Sequence, residues 1–290
     1  MADFETSVAV YCTADHAYIV PALIALESVR RFHPRCGYFV IGNAKEIPLQ
    51  SIELLRSKEI EFIHCDCNET FQSDVWPNTA YLALFGPELL AERGYRYSLG
   101  LDADVLCVLP LDLERVFAGT DGFAGIANQD PRSSNFSHPD RVRELYGLSD
   151  EVMRGTNTNT GVVFWNNQAA VSFRLGERCS DCYRELAESG IPVVGDQALF
   201  ALVSVLFGGL PFQQLDYRYN YRLGNEKDLK RSTRGVRIFH YTGIKPWQPW
   251  SPGSPLQLLF PPKWSRYRKL WQQFVRQRQL HFPGWMEGHR

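Results

Sequence analysis

The chain has 290 residues, 44% of them hydrophobic and 22% charged, with a formal net charge of -1. That is a globular composition, long enough for one large α/β domain or two small ones, and its near-neutral balance offers no electrostatic footprint for nucleic acid. The longest apolar run, residues 198–210, contains Ser204 and two glycines and is too short to cross a bilayer.

Residues 8–12 read as a buried strand. Residues 19–32 follow with Ile19, Leu23, Leu26 and Val29 at helical spacing. The spacing then predicts a strand over 38–41, a helix over 49–58 and a strand over 60–64. A helix over 80–93, interrupted at Gly86-Pro87, leads into a fourth strand over 95–101. This alternation predicts an α/β fold with a mixed, mostly parallel sheet flanked by helices on both faces. Ligands of such sheets sit at the carboxyl ends of the strands. Asp15 follows the first strand, and Asp102 and Asp104 follow the fourth.

The second half is less regular. Strands are expected over 123–127, 162–165 and 236–240, with a helix over 167–189 and a buried apolar helix opened by Gly195-Asp196-Gln197. Residues 129–155 form a long polar stretch with a short helical piece, the kind of insertion that is usually functional or mobile. The expected organisation is a catalytic domain over 1–255 and a basic aromatic tail over 256–290. In the tail, Lys263, Arg266, Arg268, Lys269, Arg276, Arg278 and Arg290 face one acid, Glu287, while Trp264, Tyr267, Leu270, Trp271 and Phe274 recur at roughly helical spacing. Two readings fit. One is a basic amphipathic helix on an anionic membrane surface. The other, favoured by the shortness of the segment, is a terminal helix that packs its aromatics on the domain.

The polar, acidic start of the chain shows no signal-peptide or anchor pattern, and the seven cysteines are odd in number. Reduced thiols in a cytoplasm, at the inner face of a membrane on the first reading of the tail, are the expectation. Oligomeric state leaves no mark.

Asp102-Ala103-Asp104 is the most informative stretch. Residues two apart on an extended segment point to one side, so two carboxylates can converge there. Hard anionic oxygens at a strand end suit a divalent cation such as Mg²⁺ or Mn²⁺ with a phosphate as further ligand. Five other pieces fall in order around it: Ala14-Asp15-His16-Ala17-Tyr18, Asn128-Gln129-Asp130-Pro131, Asn159-Thr160-Gly161-Val162, Gly195-Asp196-Gln197, and His240 through Trp247 (HYTGIKPW). Together the six pieces resemble glycosyltransferase family 8, over roughly residues 8–250.

The resemblance implies a GT-A fold and a retaining hexosyltransferase. It implies UDP-glucose or UDP-galactose as donor, Mn²⁺ (or Mg²⁺) as cofactor, and a saccharide or glycan acceptor held partly by residues 129–155. Carried over residue by residue, Asp102, Asp104 and His240 match the metal ligands, and Lys245 matches the lysine on the diphosphate. Ala103 and Gly243 fall beside them on the nucleotide side, and Asp15 and Tyr18 match the uracil contacts. Asp130, Asn159, Asp196 and Gln197 match residues around the donor sugar, with Gln197 facing the anomeric carbon. An amide is a poor nucleophile, so front-side substitution is the expected route. The chain departs from the family twice. It offers Tyr81 where an arginine usually reaches the nucleotide, and it is one residue shorter between Gly243 and Lys245.

Each residue also has a plainer reading. Asp15 and Asp196 could be helix caps. His240 could be a core histidine, and Asp130 and Asn159 turn residues. Trp247 and Trp250 fit packing of the late loop better than a sugar site. Among rivals, a nucleotidyltransferase would need a Gly-rich basic loop after the first strand, which residues 12–18 lack. A non-catalytic protein that binds a carbohydrate or nucleotide sugar would need no intact metal set. Self-glycosylation on one of thirteen tyrosines has no marker.

Overall fold

The computed structural model describes residues 4–66, 71, 78–119, 124–127, 136–154, 158–193, 195–207, 212–243, 245–248 and 261–280. Its centre is a seven-stranded sheet in the order β3-β2-β1-β4-β7-β6-β8. The strands are β1 (Val8–Thr13), β2 (Gly37–Gly42), β3 (Glu61–His64), β4 (Tyr97–Leu101), β6 (Ala124–Ala127), β7 (Val162–Asn166) and β8 (Phe212–Leu215). Strands β3, β2, β1 and β4 run parallel, and β7 alone runs against its neighbours β4 and β6. A second sheet holds β5 (Val105–Cys107), β10 (Ile238–His240) and β9 (Tyr221–Arg222), with β10 in the middle.

Both faces of β1 are buried, as an interior parallel strand requires. Its alternate residues divide the core. Val8, Val10 and Cys12 pack with α1 (Ile19–Arg30), α2 (Leu49–Ser57), α4 (Leu113–Ala118) and the small sheet. Ala9 and Tyr11 pack on the other side with α3 (Gly86–Ala91), α8 (Leu175–Glu188) and α9 (Gly195–Leu206). Four further α-helices precede the tail among the described residues: α5 (Pro139–Tyr146), α6 (Asp150–Arg154), α7 (Asn167–Phe173) and α10 (Glu226–Leu229).

The tail helix α11 (Pro261–Gln277) lies on the domain. Tyr267, Trp271 and Phe274 are buried, the Tyr267 ring lies 4.6 Å from that of Phe239, and the Tyr241 hydroxyl donates to the Tyr267 carbonyl. These three aromatic side chains are therefore occupied by packing.

Several elements differ from the sequence expectation. The single helix over 167–189 is two, because Arg174 adopts a left-handed conformation at φ 57° that ends α7 and redirects the chain into α8. The stretch before Gly86 is a 3-10 turn, Asn78–Leu84, and α3 begins only at Gly86. Strands β5, β8 and β9 are additional, each four residues or fewer and so too short to show a period. The polar stretch holds both α5 and α6.

Candidate functional site

Sheet register brings the site together. Because β1 and β4 are parallel neighbours, the segments that leave them, Ala14–Tyr18 and Asp102–Asp104, emerge side by side. Because β7 is antiparallel to β4, its entry meets the exit of β4, and the Asp102 amide donates to the Gly161 carbonyl at 2.9 Å. The small sheet closes the circle. His240 stands opposite Val105 in the antiparallel β5–β10 pair, and the Tyr241 amide donates to the Asp104 carbonyl at 2.9 Å. Residues 240 and 104, far apart in sequence, are thus fixed by backbone.

A cavity of about 390 Å³ opens here. Asp15, Tyr18, Asp102, Ala103, Asp104 and Asn159 line it, as do Asp196, Gln197, His240, Gly243 and Lys245. Of the expected site residues only Asp130 is missing, and it lies outside the described residues.

The acidic pair and the histidine form one cluster. The Nε2 atom of His240 is 3.3 Å from Asp102 Oδ2 and 3.2 Å from Asp104 Oδ1. Among the described residues this is the group of His, Cys, Asp and Glu side chains whose ligand atoms lie within 4.8 Å of one another. Adjacent ligands of an octahedral ion held at about 2.1 Å stand roughly 3 Å apart, so one divalent ion fits all three. Asp104 and His240 are buried, whereas the Asp102 side chain is 51% exposed and leaves an open side.

Charge governs the protonation of the cluster. Burial pushes the Asp104 carboxyl up, but the charges of His240 and Lys245 outweigh it and hold the group well below the usual carboxylate range. Burial alone would lower His240; the Asp104 charge and the hydrogen bonds that its N–H donates to both aspartates raise it to about 9. Lys245 ion-pairs with Asp104 Oδ2 and is raised in the same way, against its own burial.

At the opposite wall, α9 presents Asp196 and Gln197 from its first turn. Burial, then the charge of Asp102, push the Asp196 carboxyl up to about 7, against hydrogen bonds from Thr160 and the first-turn amides. The side-chain amide of Asn159 donates to Gln197 Oε1 at 3.1 Å.

Asp15 does cap the turn at His16–Tyr18, accepting from the Tyr18 amide at 3.1 Å, and it lines the cavity as well. Trp247 packs between Tyr18 and Trp271, while Trp250 lies outside the described residues.

Tyr81 is a correction. It does not line the cavity; Thr79 and Ala80 do. Tyr81 is buried and stacks on Phe71 at 4.6 Å. Its hydroxyl donates to the Val193 carbonyl and accepts from the Gly195 amide, which ties down the entry of α9. The ring packs among Phe71 and Tyr183, and this aromatic surrounding turns it away from the cavity.

Sequence reasoning missed Asn220, which is buried at the entry of β9 and touches both His240 and Asn159. It belongs to no spacing pattern. A buried, hydrogen-bonded asparagine beside a metal-type cluster is visible only in three dimensions.

No protein-family model matches the sequence, and neither does any curated protein. Solved structures do match in fold. The galactosyltransferase LgtC, in complex with donor and acceptor sugar analogues, superposes with a TM-score of 0.62 at 18% identity, over 97% of this chain and 100% of LgtC. The glycosyltransferase GlyE of Streptococcus pneumoniae TIGR4 gives 0.57 at 19% identity, over 95% of this chain and 64% of its own. Mouse xyloside xylosyltransferase 1 gives 0.54 at 17% identity, over 81% and 98%. The chain has the GT-A fold of these glycosyltransferases.

Proposed function

We propose that the chain is a retaining glycosyltransferase of the family 8 kind, which moves a hexose, glucose or galactose, from a UDP-sugar to a saccharide acceptor with Mn²⁺. One observation carries the reading. Asp102, Asp104 and His240 converge within ligand distance of one ion, beside Lys245, in a cavity that also exposes Asp196 and Gln197.

Two carboxylates and an imidazole suit Mn²⁺ better than Mg²⁺. When bound, the ion supplies charge neutralisation and Lewis acidity toward the diphosphate. The remaining work falls to the protein's own groups. Lys245 adds a second fixed positive charge for the developing UDP anion and must leave Asp104 to reach it. Tyr18 offers an aromatic face and Asp15 a free carboxylate oxygen for uracil; Ala103 and Gly243 let the backbone approach the nucleotide. Asp196, Gln197 and Asn159 flank the sugar side of the cavity. Gln197 carries no nucleophile, so the preferred route is front-side. The acceptor hydroxyl attacks the anomeric carbon on the face UDP leaves from, and the departing phosphate oxygen takes the hydroxyl proton. Helices α5 and α6 belong to the segment we assign to acceptor binding.

The test is UDP release from a panel of UDP-sugars with Mn²⁺, repeated with chelator and with Asp104→Ala. Slow hydrolysis of one donor, lost in both controls, supports the reading and names the sugar. No release from any donor, with no Mn²⁺-dependent UDP binding, overturns it in favour of a non-catalytic binding protein.

A further inference from the structure

A chain of side-chain hydrogen bonds crosses the floor of the cavity. His240 Nδ1 is 2.9 Å from Asn220 Oδ1. Asn220 Nδ2 donates to Asn159 Oδ1 at 2.7 Å, and Asn159 Nδ2 donates to Gln197 Oε1 at 3.1 Å. His240 and Asn220 are buried and Asn159 nearly so, which leaves little room for water to substitute for any link.

The chain has a direction, and one end fixes it. The Nε2 atom of His240 faces the two aspartates, so a metal there takes its lone pair and leaves the proton on Nδ1. Nδ1 must then donate. Asn220 can accept only through Oδ1, which turns its NH₂ group to Asn159. Asn159 accepts through Oδ1 and turns its own NH₂ to Gln197. Gln197 accepts through Oε1 and is left with its NH₂ directed away from Asn159. An amide flip anywhere along the chain would set donor against donor or acceptor against acceptor, leaving polar groups unpaired.

We infer that Asn220 is a positioning residue: through Asn220 and Asn159, the proton that His240 keeps on Nδ1 when Nε2 ligates a metal fixes the polarity of the Gln197 amide, so that position 197 offers the bound sugar a hydrogen-bond donor and not an oxygen. This rests on the transferase reading and deepens it. It gives a structural reason why Gln197 stabilises or orients a sugar or phosphate oxygen and does not attack carbon.

Asn220→Asp tests it. The carboxylate still accepts from His240 Nδ1, as ligating histidines require of a neighbour, but it cannot donate. Asn159 then turns its NH₂ to position 220, and Gln197 turns its oxygen outward. The expected result for Asn220→Asp is Mn²⁺ affinity by calorimetry within about threefold of wild type, KM for the UDP-sugar little changed, and kcat lowered about tenfold or more. Asn220→Ala removes both links and should also lower Mn²⁺ affinity about 10–100-fold. Asn159→Asp, which breaks only the last link, should repeat the kcat loss at wild-type metal affinity and covers the case in which Asn220→Asp fails to fold. Nitrogen-15 NMR of histidine-labelled protein loaded with Mg²⁺ should show a protonated Nδ1 at His240 in wild type and in Asn220→Asp.

Equal loss of metal affinity in Asn220→Asp and Asn220→Ala, or a wild-type kcat in both Asp variants, overturns the inference. If wild type binds Mn²⁺ but releases no UDP, the transferase reading falls. The relay is then judged by the Gln197 side-chain NH₂ signals, which must shift in Asn159→Asp and in Asn220→Asp if the polarity is transmitted, and an unshifted pair overturns it.

Discussion

Lys245 and His240 hold the two oxygens of Asp104, one from the segment after β10 and one from β10 itself: the ammonium on Oδ2, the imidazole Nε2 3.2 Å from Oδ1. A cation already neutralises the buried carboxylate, so a metal ion must compete with Lys245 for it. Lys245→Met should therefore bind Mn²⁺ alone more tightly, by about tenfold, roughly 1.4 kcal/mol. The same substitution should weaken Mn²⁺-dependent UDP binding, because the diphosphate loses its second positive partner. Calorimetry with Mn²⁺, then with Mn²⁺ and UDP, reads both. A variant that weakens both equally would mean that Lys245 supports the fold of the site and does not exchange partners.

Metal uptake should release a proton. His240 in the metal-free protein is raised to about 9 by Asp104 and the hydrogen bonds it donates to both aspartates, against the opposing effect of its burial, so at neutral pH the imidazole is charged. Ligation through Nε2 displaces that proton. Apparent Mn²⁺ affinity should rise about tenfold per pH unit from near 7 up to about 9 and then level. Calorimetry in buffers of different ionisation enthalpy should count close to one proton released per ion at pH 7. Zero release would place the ion on the carboxylates without His240.

Much of this site was legible in the sequence, and for a physical reason. The Asp-x-Asp at the end of an apolar run points to two carboxylates that converge, although residues 103 and 104 form a turn between β4 and β5 and not the extended segment the spacing implies, and the strand–helix alternation states at which end of the sheet they lie. The third member of the cluster needed the ordered pieces, since nothing local to His240 says that β10 pairs with β5 beside Asp104. Asn220 and the hydroxyl of Tyr81 were out of reach, because each acts through a tertiary contact whose partners are far away in the chain. The short strands β5, β8 and β9 failed for a related reason: their strand character comes from a neighbour, not from a pattern of their own. Arg174 failed because a left-handed residue other than glycine gives no compositional sign.

Asp196 should cost stability at neutral pH. Its carboxyl is raised from 3.8 to about 7, chiefly by burial and then by the charge of Asp102. Between those values the folded state keeps a proton that the unfolded chain has released, so stability falls as pH rises from about 4 to 7 and is level above. The full shift corresponds to about 4 kcal/mol at most, less because the side chain reaches the cavity. Asp196→Asn escapes the loss. It should melt higher than wild type at pH 8, match it near pH 4, and lose UDP-sugar turnover. Equal melting differences at both pH values would remove the titration from the explanation.

Gly161 should be irreplaceable. A Cβ built there would stand 2.2 Å from His240 Cε1 and 2.6 Å from Asp102 Oδ2, inside both van der Waals envelopes. His240 cannot withdraw, because Asn220 holds its far nitrogen and β10 its backbone. Asp102 can move, because its side chain is half exposed, but only away from the point where the three ligand atoms meet. Gly161→Ala should therefore keep the fold at a modest loss of stability, about 1–3 kcal/mol, and lose Mn²⁺ binding by a hundredfold or more, about 2.7 kcal/mol. Thermal melting and Mn²⁺ calorimetry on the same preparation separate the two effects. A folded Gly161→Ala protein with wild-type metal affinity would show that the ion, if it binds, does not sit among Asp102, Asp104 and His240.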